Sequence, residues 1–310
     1  MADTLHKIPV LILGSYITAL GTMRSLGAAG IDALCITPQD SYGRCSRWHR
    51  APDSSIGVVT RPEDLPGYLE RLPLDRAVLM PCSDVWVSAV AALDNTVRSR
   101  FPFSQPDRET LELFLDKGKL EDVLNRLDIP RPRTFLLENE SDLVAIGEDQ
   151  CPDYFLKPRN SPLFVRHFGV KAFKIDSNAD AVRRYAQCQR AGIEIMLQEY
   201  VPGPADRHYF IDGFFDRHGE IRALFARQRI RMYPLDFGDS SYFTTVPTKN
   251  VASAVKSLEK LLPEIKYRGI FSAEFKLDER DDTFKLIEVN TRPWTYIGFD
   301  STHGMNMAEM

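Results

Sequence analysis

Several functional classes are excluded by what the sequence lacks. Its five cysteines, Cys35, Cys45, Cys82, Cys151 and Cys188, are scattered, odd in number and form no Cys-x-x-Cys pair. Structural zinc and a disulfide framework are therefore disfavoured, and a reducing compartment is expected. No apolar run reaches the roughly 18 residues a bilayer span requires. The stretch from Met1 to Val10 has neither the basic nor the apolar block of a signal peptide, so a cytoplasmic location without a membrane partner is expected. Basic residues do not exceed acidic ones (39 against 43, net charge −4), which argues against a nucleic-acid partner. The six histidines show no His-Glu-x-x-His spacing. A glycine-rich dinucleotide fingerprint is missing too, because Tyr16 and Ile17 stand where it needs close backbone approach. What remains is a globular chain of 310 residues, 44% hydrophobic, long enough for two or three lobes.

The pattern divides that chain into three stretches, 1–105, 106–192 and 193–310. In the first, short apolar runs at Ile8–Leu13, Ala33–Thr37 and Ala77–Met80 alternate with helical spacing after Gly14, near Glu63–Leu72 and near Val85–Leu93. This order predicts a parallel sheet covered on both faces, with ligands beyond the strand ends at Gly14-Ser15 and Ser83-Asp84. The second predicts a helical segment over Arg108–Leu127 and strands at Thr134–Leu137, Tyr154–Lys157 and Lys171–Ile175, with a polar loop from Arg159 to Gly169. The third is mostly strands: Ile195–Tyr200, His208–Phe215, Glu220–Ala226, Gly269–Leu277 and Thr283–Asn290, with a helix over Val251–Leu262.

The chemistry concentrates in the last two strands. A hairpin turning near Asp281 sets Glu274 opposite Glu288, and strand alternation puts Glu274, Lys276, Glu288 and Asn290 on one face. Ala273, Phe275, Leu277, Ile287 and Val289 form the other, a core face. Opposed carboxylates destabilise a sheet unless a cation lies between them. Two carboxylates and an amide oxygen suit Mg²⁺; a solvated face with Lys276 paired to an acid is the alternative. Lys157 closes a strand just before Pro158, and Lys117 lies near the start of a helical segment, so both are candidate phosphate cations. Gln198-Glu199-Tyr200-Val201 leaves a strand into a Pro/Gly turn, where a free carbonyl and amide suit the edge of adenine.

In order, Asp116-Lys117, Leu156-Lys157-Pro158, Gln198-Glu199-Tyr200-Val201, Ala273-Glu274-Phe275-Lys276 and Ile287-Glu288-Val289-Asn290-Thr291-Arg292 resemble the ATP-grasp superfamily. The chain is most similar to its carbamoyl-phosphate-synthase-like and D-aspartate-ligase-like carboxylate–amine ligases. The resemblance spans nearly the whole chain. It implies an α/β protein with an N-terminal parallel α/β (pre-ATP-grasp) lobe followed by a two-lobed α+β ATP-grasp fold. It implies ATP and Mg²⁺, with Mn²⁺ as an alternative, small-molecule carboxylate and amine substrates, and allows a homodimer. By the same resemblance Lys117 and Lys157, assisted by Lys171 or Lys174, contact phosphates; Glu199 and Val201 hold adenine through the backbone; Asp206 approaches the ribose. Glu274, Glu288 and Asn290 bind metal, and Arg292, with Arg227 as second candidate, meets the transferred phosphoryl. Ser15, Arg47, Ser83 and Asp84 are candidates for the acid-binding region. In this chain Asn160-Ser161-Pro162 replaces the family's glycine-rich loop. The implied activity activates a carboxylate as an acyl phosphate for attack by an amine; a non-catalytic nucleotide-binding relative is the alternative.

Overall fold

In the computed structural model residues 8–115, 117–144, 147–159, 161–235 and 237–310 are described. The N-terminal part runs β1 (Val10–Leu13), α1 (Tyr16–Ala28), β2 (Ala33–Cys35), α2 (Ser41–Arg44), α3 (Leu65–Arg71), β3 (Val78–Pro81), α4 (Asp84–Ala91) and α5 (Asn95–Arg100). Its sheet is parallel in the order β2-β1-β3. All four residues of β1 are buried because alternate side chains enter different cores. Leu11 and Leu13 pack with Leu65, Leu69 and Val90, whereas Val10 and Ile12 pack with Met23 and Leu26 of α1. The second of these cores also takes in Ala223, Ile270, Trp294 and Ile297, so it joins the N-terminal lobe to the C-terminal end of the chain.

Next come α6 (Arg108–Leu115), α7 (Lys117–Arg126), β4 (Thr134–Leu136), α8 (Ser141–Val144), β5 (Tyr154–Pro158), α9 (Ser161–Phe168), β6 (Phe173–Lys174), α10 (Asn178–Arg190) and β7 (Ile195–Glu199). A four-stranded antiparallel sheet, β4-β7-β5-β6, packs through Leu156, Phe173, Ile195 and Leu197 against Phe164 of α9 and Tyr185 of α10. Two expectations change here. The segment expected as a polar loop contains α9, in which Phe164 and Phe168 recur one turn apart beneath charged neighbours. The cores also cross the expected boundaries at 106 and 193. Val123 and Leu124 of α7 pack into the C-terminal core, while β7 is an inner strand of the small sheet. Contiguity in sequence does not determine which apolar face finds which partner.

The last stretch holds β8 (His208–Phe215), β9 (Ile221–Tyr233), β10 (Asp239–Val246), α11 (Ala252–Glu264), β11 (Gly269–Leu277), β12 (Phe284–Asn290) and α12 (Ile297–Thr302). They build an antiparallel sheet in the order β10-β9-β8-β11-β12. β9 continues seven residues past its expected end at Ala226, and β10 was not anticipated. Neither segment has the apolar alternation of a half-buried strand; Arg227, Arg229 and Arg231 occupy the face where such a strand shows hydrophobes. One sheet face packs Ile211, Ala226, Ala273, Phe275 and Leu286 onto Leu258, Leu261 and Leu262 of α11. The opposite face, toward the small lobe, carries the polar residues. Gly269 lets β11 begin against the chain leaving the first lobe: its φ is +100°, and a Cβ there would lie 1.9 Å from the Ser104 carbonyl oxygen. Among the described residues no helix is long and apolar enough to cross a membrane.

Candidate active site

The register of β11 and β12 sets Glu274 opposite Glu288 and Ser272 opposite Asn290. Immediately after Glu274 the register shifts by one residue, so Phe275 faces Leu286 and Lys276 faces Lys285. This bulge corrects the expected core face: Leu286 is buried there and Ile287 is not. The Glu274 carboxylate receives His208 Nδ1 at 2.7 Å and Arg229 Nη2 at 3.3 Å, both on Oε1. Burial alone would raise this carboxyl, but the His208 hydrogen bond and the charges of His208, Arg229 and Lys157 outweigh it and hold the group near about 2. His208 is pushed below its ordinary value, chiefly by burial. Glu288 is exposed and lies close enough to Arg292 to act on its charge. Among the described residues no group of three or more His, Cys, Asp and Glu is placed to hold a metal. The donor set instead comprises two opposed carboxylates, one with Oε2 outside those hydrogen bonds, and the neighbouring amide. These hard oxygens fit an ion such as Mg²⁺, which takes few protein ligands.

Cations border this floor. Lys157, next to last in β5, reaches across from the small lobe to act on Glu274. Arg229 donates from Nε to Ser240 Oγ at 2.8 Å and stacks over Phe210. Lys276 is buried, with its ammonium 4.8 Å from the centre of the Tyr200 ring; burial and then Arg229 lower its pKa to about 8. Lys171 is ion-paired with Asp239 on β10, a contact that ties the small lobe to the β9–β10 hairpin. Phe155 and Phe237 reinforce that contact at 4.7 Å between ring centres. The side chain of Lys117, together with Asp116 and Asn160, lies outside the described residues.

The strand exit at Glu199 is more elaborate than the sequence indicated. Its backbone N–H donates to the Arg133 carbonyl at 2.8 Å, and its buried carboxylate accepts the Arg133 N–H at 2.9 Å, Arg280 and Lys285. Lys285 also pairs with the fully buried Asp278 at 2.8 Å, and Arg280 does the same. These partners lie in and beside the hairpin turn near Asp281, whose density of charge was the available signal in the sequence. Val201 is buried just beyond, and the carbonyl of exposed Asp206 accepts Gln228 Nε2 at 2.7 Å.

Arg292 spans two lobes. Its Nε and Nη2 clasp Asp84 at the start of α4, at 2.6 and 3.0 Å. Two positions treated separately in the sequence thus meet at the carboxyl edge of the parallel sheet. Arg227 occupies a different setting from an open phosphoryl-binding position: it is 2% exposed. Its Nε meets Asp212 at 2.6 Å, and its guanidinium is covered by Phe210, Phe243 and Tyr296. Arg229, which sequence reasoning did not single out, is the β9 arginine beside Glu274.

No family model matches the chain. It is 23% identical over 319 residues to D-aspartate ligase of Enterococcus faecium, covering 97% of this chain and 75% of that one. It is 21% identical over 202 residues to the C-terminal section of the carbamoyl phosphate synthase large chain of Methanopyrus kandleri, covering 63% of this chain and 36% of the other. Among solved structures, the biotin carboxylase–βγ-ATP complex of Campylobacter jejuni superposes with a TM-score of 0.71 at 16% identity, covering 99% of this chain and 70% of that one. The chain is similar along nearly its whole length to D-aspartate ligase, and it shares its fold with the biotin carboxylase structure. In that shared fold the parallel sheet comes first, and the small antiparallel sheet then faces the polar side of the large one.

Proposed function

We propose that the protein is an ATP-dependent carboxylate–amine ligase that phosphorylates a carboxylate to an acyl phosphate and passes the acyl group to an amine, an amino acid, releasing ADP and phosphate. The observation that carries this reading is the opposition of Glu274 and Glu288 on the cleft face, with Lys157 acting on Glu274 from the other lobe. Mg²⁺ held by Glu274, Glu288 and Asn290 would supply charge neutralisation for the triphosphate. Lys157, with Lys117, meets the phosphates, and Glu199 and Val201 present backbone groups to adenine, with Asp206 near the ribose. The Glu199 carboxylate, locked by Arg133, Arg280 and Lys285, keeps that strand exit in place.

A carboxylate is a poor electrophile, and phosphoryl transfer to it asks a protein mainly for positioning and charge neutralisation. Arg292 pairs with Asp84 at the parallel-sheet edge, where Ser15, Arg47, Ser83 and Asp84 form the acid-binding region. There it orients the carboxylate oxygen toward the γ-phosphorus; the P–O bond to ADP breaks as the acyl–O–P bond forms. The amine then attacks the acyl carbon, the acyl–O bond to phosphate breaks, and the nitrogen's proton passes to the departing phosphate. Closure of the small lobe over the cleft keeps water from the acyl phosphate. The ion pair Lys171–Asp239 and the Phe155–Phe237 contact are the features that support a closed arrangement.

The test is ADP release with Mg-ATP against pooled small acids and amino acids, run with and without hydroxylamine. Acid-dependent ADP formation and a trapped hydroxamate are expected. Mg-ATP binding with no ADP from any acid–amine pair would overturn the proposal in favour of a nucleotide sensor.

A further inference from the structure

On the same face of the large sheet as Glu274, covered by α12, lies a buried cluster that the proposed chemistry does not use. Asp212 on β8 and Asp300 on α12 are both 0% exposed, and Arg227 is the cation beside them. Asp212 is fully engaged: Arg227 donates to both of its oxygens, at 2.6 and 3.3 Å, and Ser272 Oγ donates to Oδ1 at 2.5 Å. Neither oxygen of Asp300 meets a donor from another residue when both acids are ionised. One proton on the pair provides the missing hydrogen bond, between Asp300 and Asp212. Charge leads to the same result. Two carboxylates against one guanidinium leave a net negative charge in a dry interior, a state far costlier than one neutral acid.

The placement of Asp300 gives that proton a use. The segment from Thr291 to Thr302 begins beside the floor residue Asn290, carries Arg292 and ends in α12. It is tied to the first lobe by Arg292–Asp84 and by Ser301 Oγ donating to Ser25 Oγ at 2.7 Å. Gly21 of α1 and Gly298 of α12 approach closely. On the large sheet the tyrosine O–H of Tyr296 donates to the Ser240 carbonyl, and Asp300 supplies a second attachment through Asp212. Ser272, which also holds Asp212, sits directly opposite Asn290. We propose that Asp300 is a positioning residue whose carboxylic acid, donating its proton to Asp212, pins the Arg292-bearing segment onto the sheet.

The groups facing Asp300 are limited. Asp212 and Arg227 act on it from β8 and β9, α1 meets α12 through uncharged Gly21 and Ser25, and His303 packs on the Phe299 ring at 4.2 Å. Burial and then the charge of Asp212 raise the Asp300 carboxyl far above its ordinary value. The folded protein therefore keeps a proton that the unfolded chain gives up above about pH 4. The stability this group contributes is fully present below about pH 4 and is lost progressively as the pH rises above it.

The inference rests on the ligase reading only for its effect on turnover; melting and hydrogen exchange test it separately. Asp300→Asn supplies a neutral donor of the same shape, whereas Asp300→Ala supplies none. Relative to wild type, Asp300→Asn is expected to melt progressively higher as the pH rises from 5 to 9. Asp300→Ala should speed amide exchange across 291–302, which Asp300→Asn should not do. In turnover, Asp300→Ala should lower kcat by roughly ten- to a hundredfold with KM for ATP unchanged, and Asp300→Asn should restore it. Parallel melting curves for wild type and Asp300→Asn would overturn the shared proton. Unchanged exchange and kcat in Asp300→Ala would overturn the positioning role. If Asp300→Ala does not fold, the melting and kcat of Asp300→Asn decide: parallel melting or a kcat as low as that of an Arg292→Ala control refutes the proposal. Absence of any ADP formation in wild type would sink the ligase reading while leaving the melting and exchange results to decide this one.

Discussion

Removing Glu288 should move stability and activity in opposite directions. Glu274 and Glu288 are cross-strand partners, so their Cβ atoms stand about 5 Å apart. Like charges at that separation on a sheet cost about 0.2–1 kcal/mol. Arg292 offsets part of this from beyond Glu288, and the exposed side chain of Glu288 contributes no core packing. Glu288→Ala is therefore expected to stabilise the nucleotide-free protein by about 0.5 kcal/mol, a rise of roughly 1–2 °C in Tm. Turnover should suffer strongly, because a lost ligand forfeits several kcal/mol of charge stabilisation and each 1.36 kcal/mol is about tenfold in rate. A fall of at least about a hundredfold in Mg-ATP-dependent ADP release follows. Thermal melting without nucleotide and coupled ADP detection measure the two quantities on one preparation. A variant that melts lower than wild type and still releases ADP at the wild-type rate would show that the opposed pair is a structural feature and not the centre of the site.

Lys157→Ala should weaken ATP binding about tenfold without altering the melting temperature by more than a degree or two; calorimetric titration giving an unchanged Kd would remove Lys157 from the nucleotide site. Gly269→Ala should cost more than about 3 kcal/mol, since backbone strain at φ +100° adds to overlap with the Ser104 carbonyl; denaturant unfolding with an unchanged midpoint would contradict the close approach. Asp278→Asn should cost about 2–4 kcal/mol at pH 7, because it breaks a fully buried carboxylate away from Lys285 and Arg280. Burial opposes ionisation of Asp278, but those partners hold its carboxyl well below the usual range. The stability it contributes is therefore present above about pH 4 and lost as the pH falls below it. The difference between wild type and Asp278→Asn should shrink on acidification, as urea titrations at pH 7 and pH 3 would measure.

The sites that read most clearly from the sequence were those governed by short-range rules. Strand alternation and one polar turn were enough to oppose Glu274 to Glu288, because a hairpin pairs residues whose numbers have a constant sum until a bulge intervenes. The bulge after Glu274 was not legible, and it exchanged Leu286 for Ile287 in the core. β10 and the outer half of β9 escaped notice for a related reason. Their inward positions are filled by arginines and a serine held by acids, hydroxyls and rings, where the apolar period of a half-buried strand would appear.

The order of the motifs and the hairpin of acids were set by the amino-acid sequence itself, since each depends on residues within a few positions of one another. Only the folded chain determined that Arg292 would reach Asp84 across 208 positions, that Arg227 would be sealed under aromatic rings while Arg229 stood beside Glu274, and that Asp300 would meet Asp212. Those outcomes depend on which buried faces share a core and on how much water remains around a charge. Both are properties of distant segments brought together, and no local pattern encodes them.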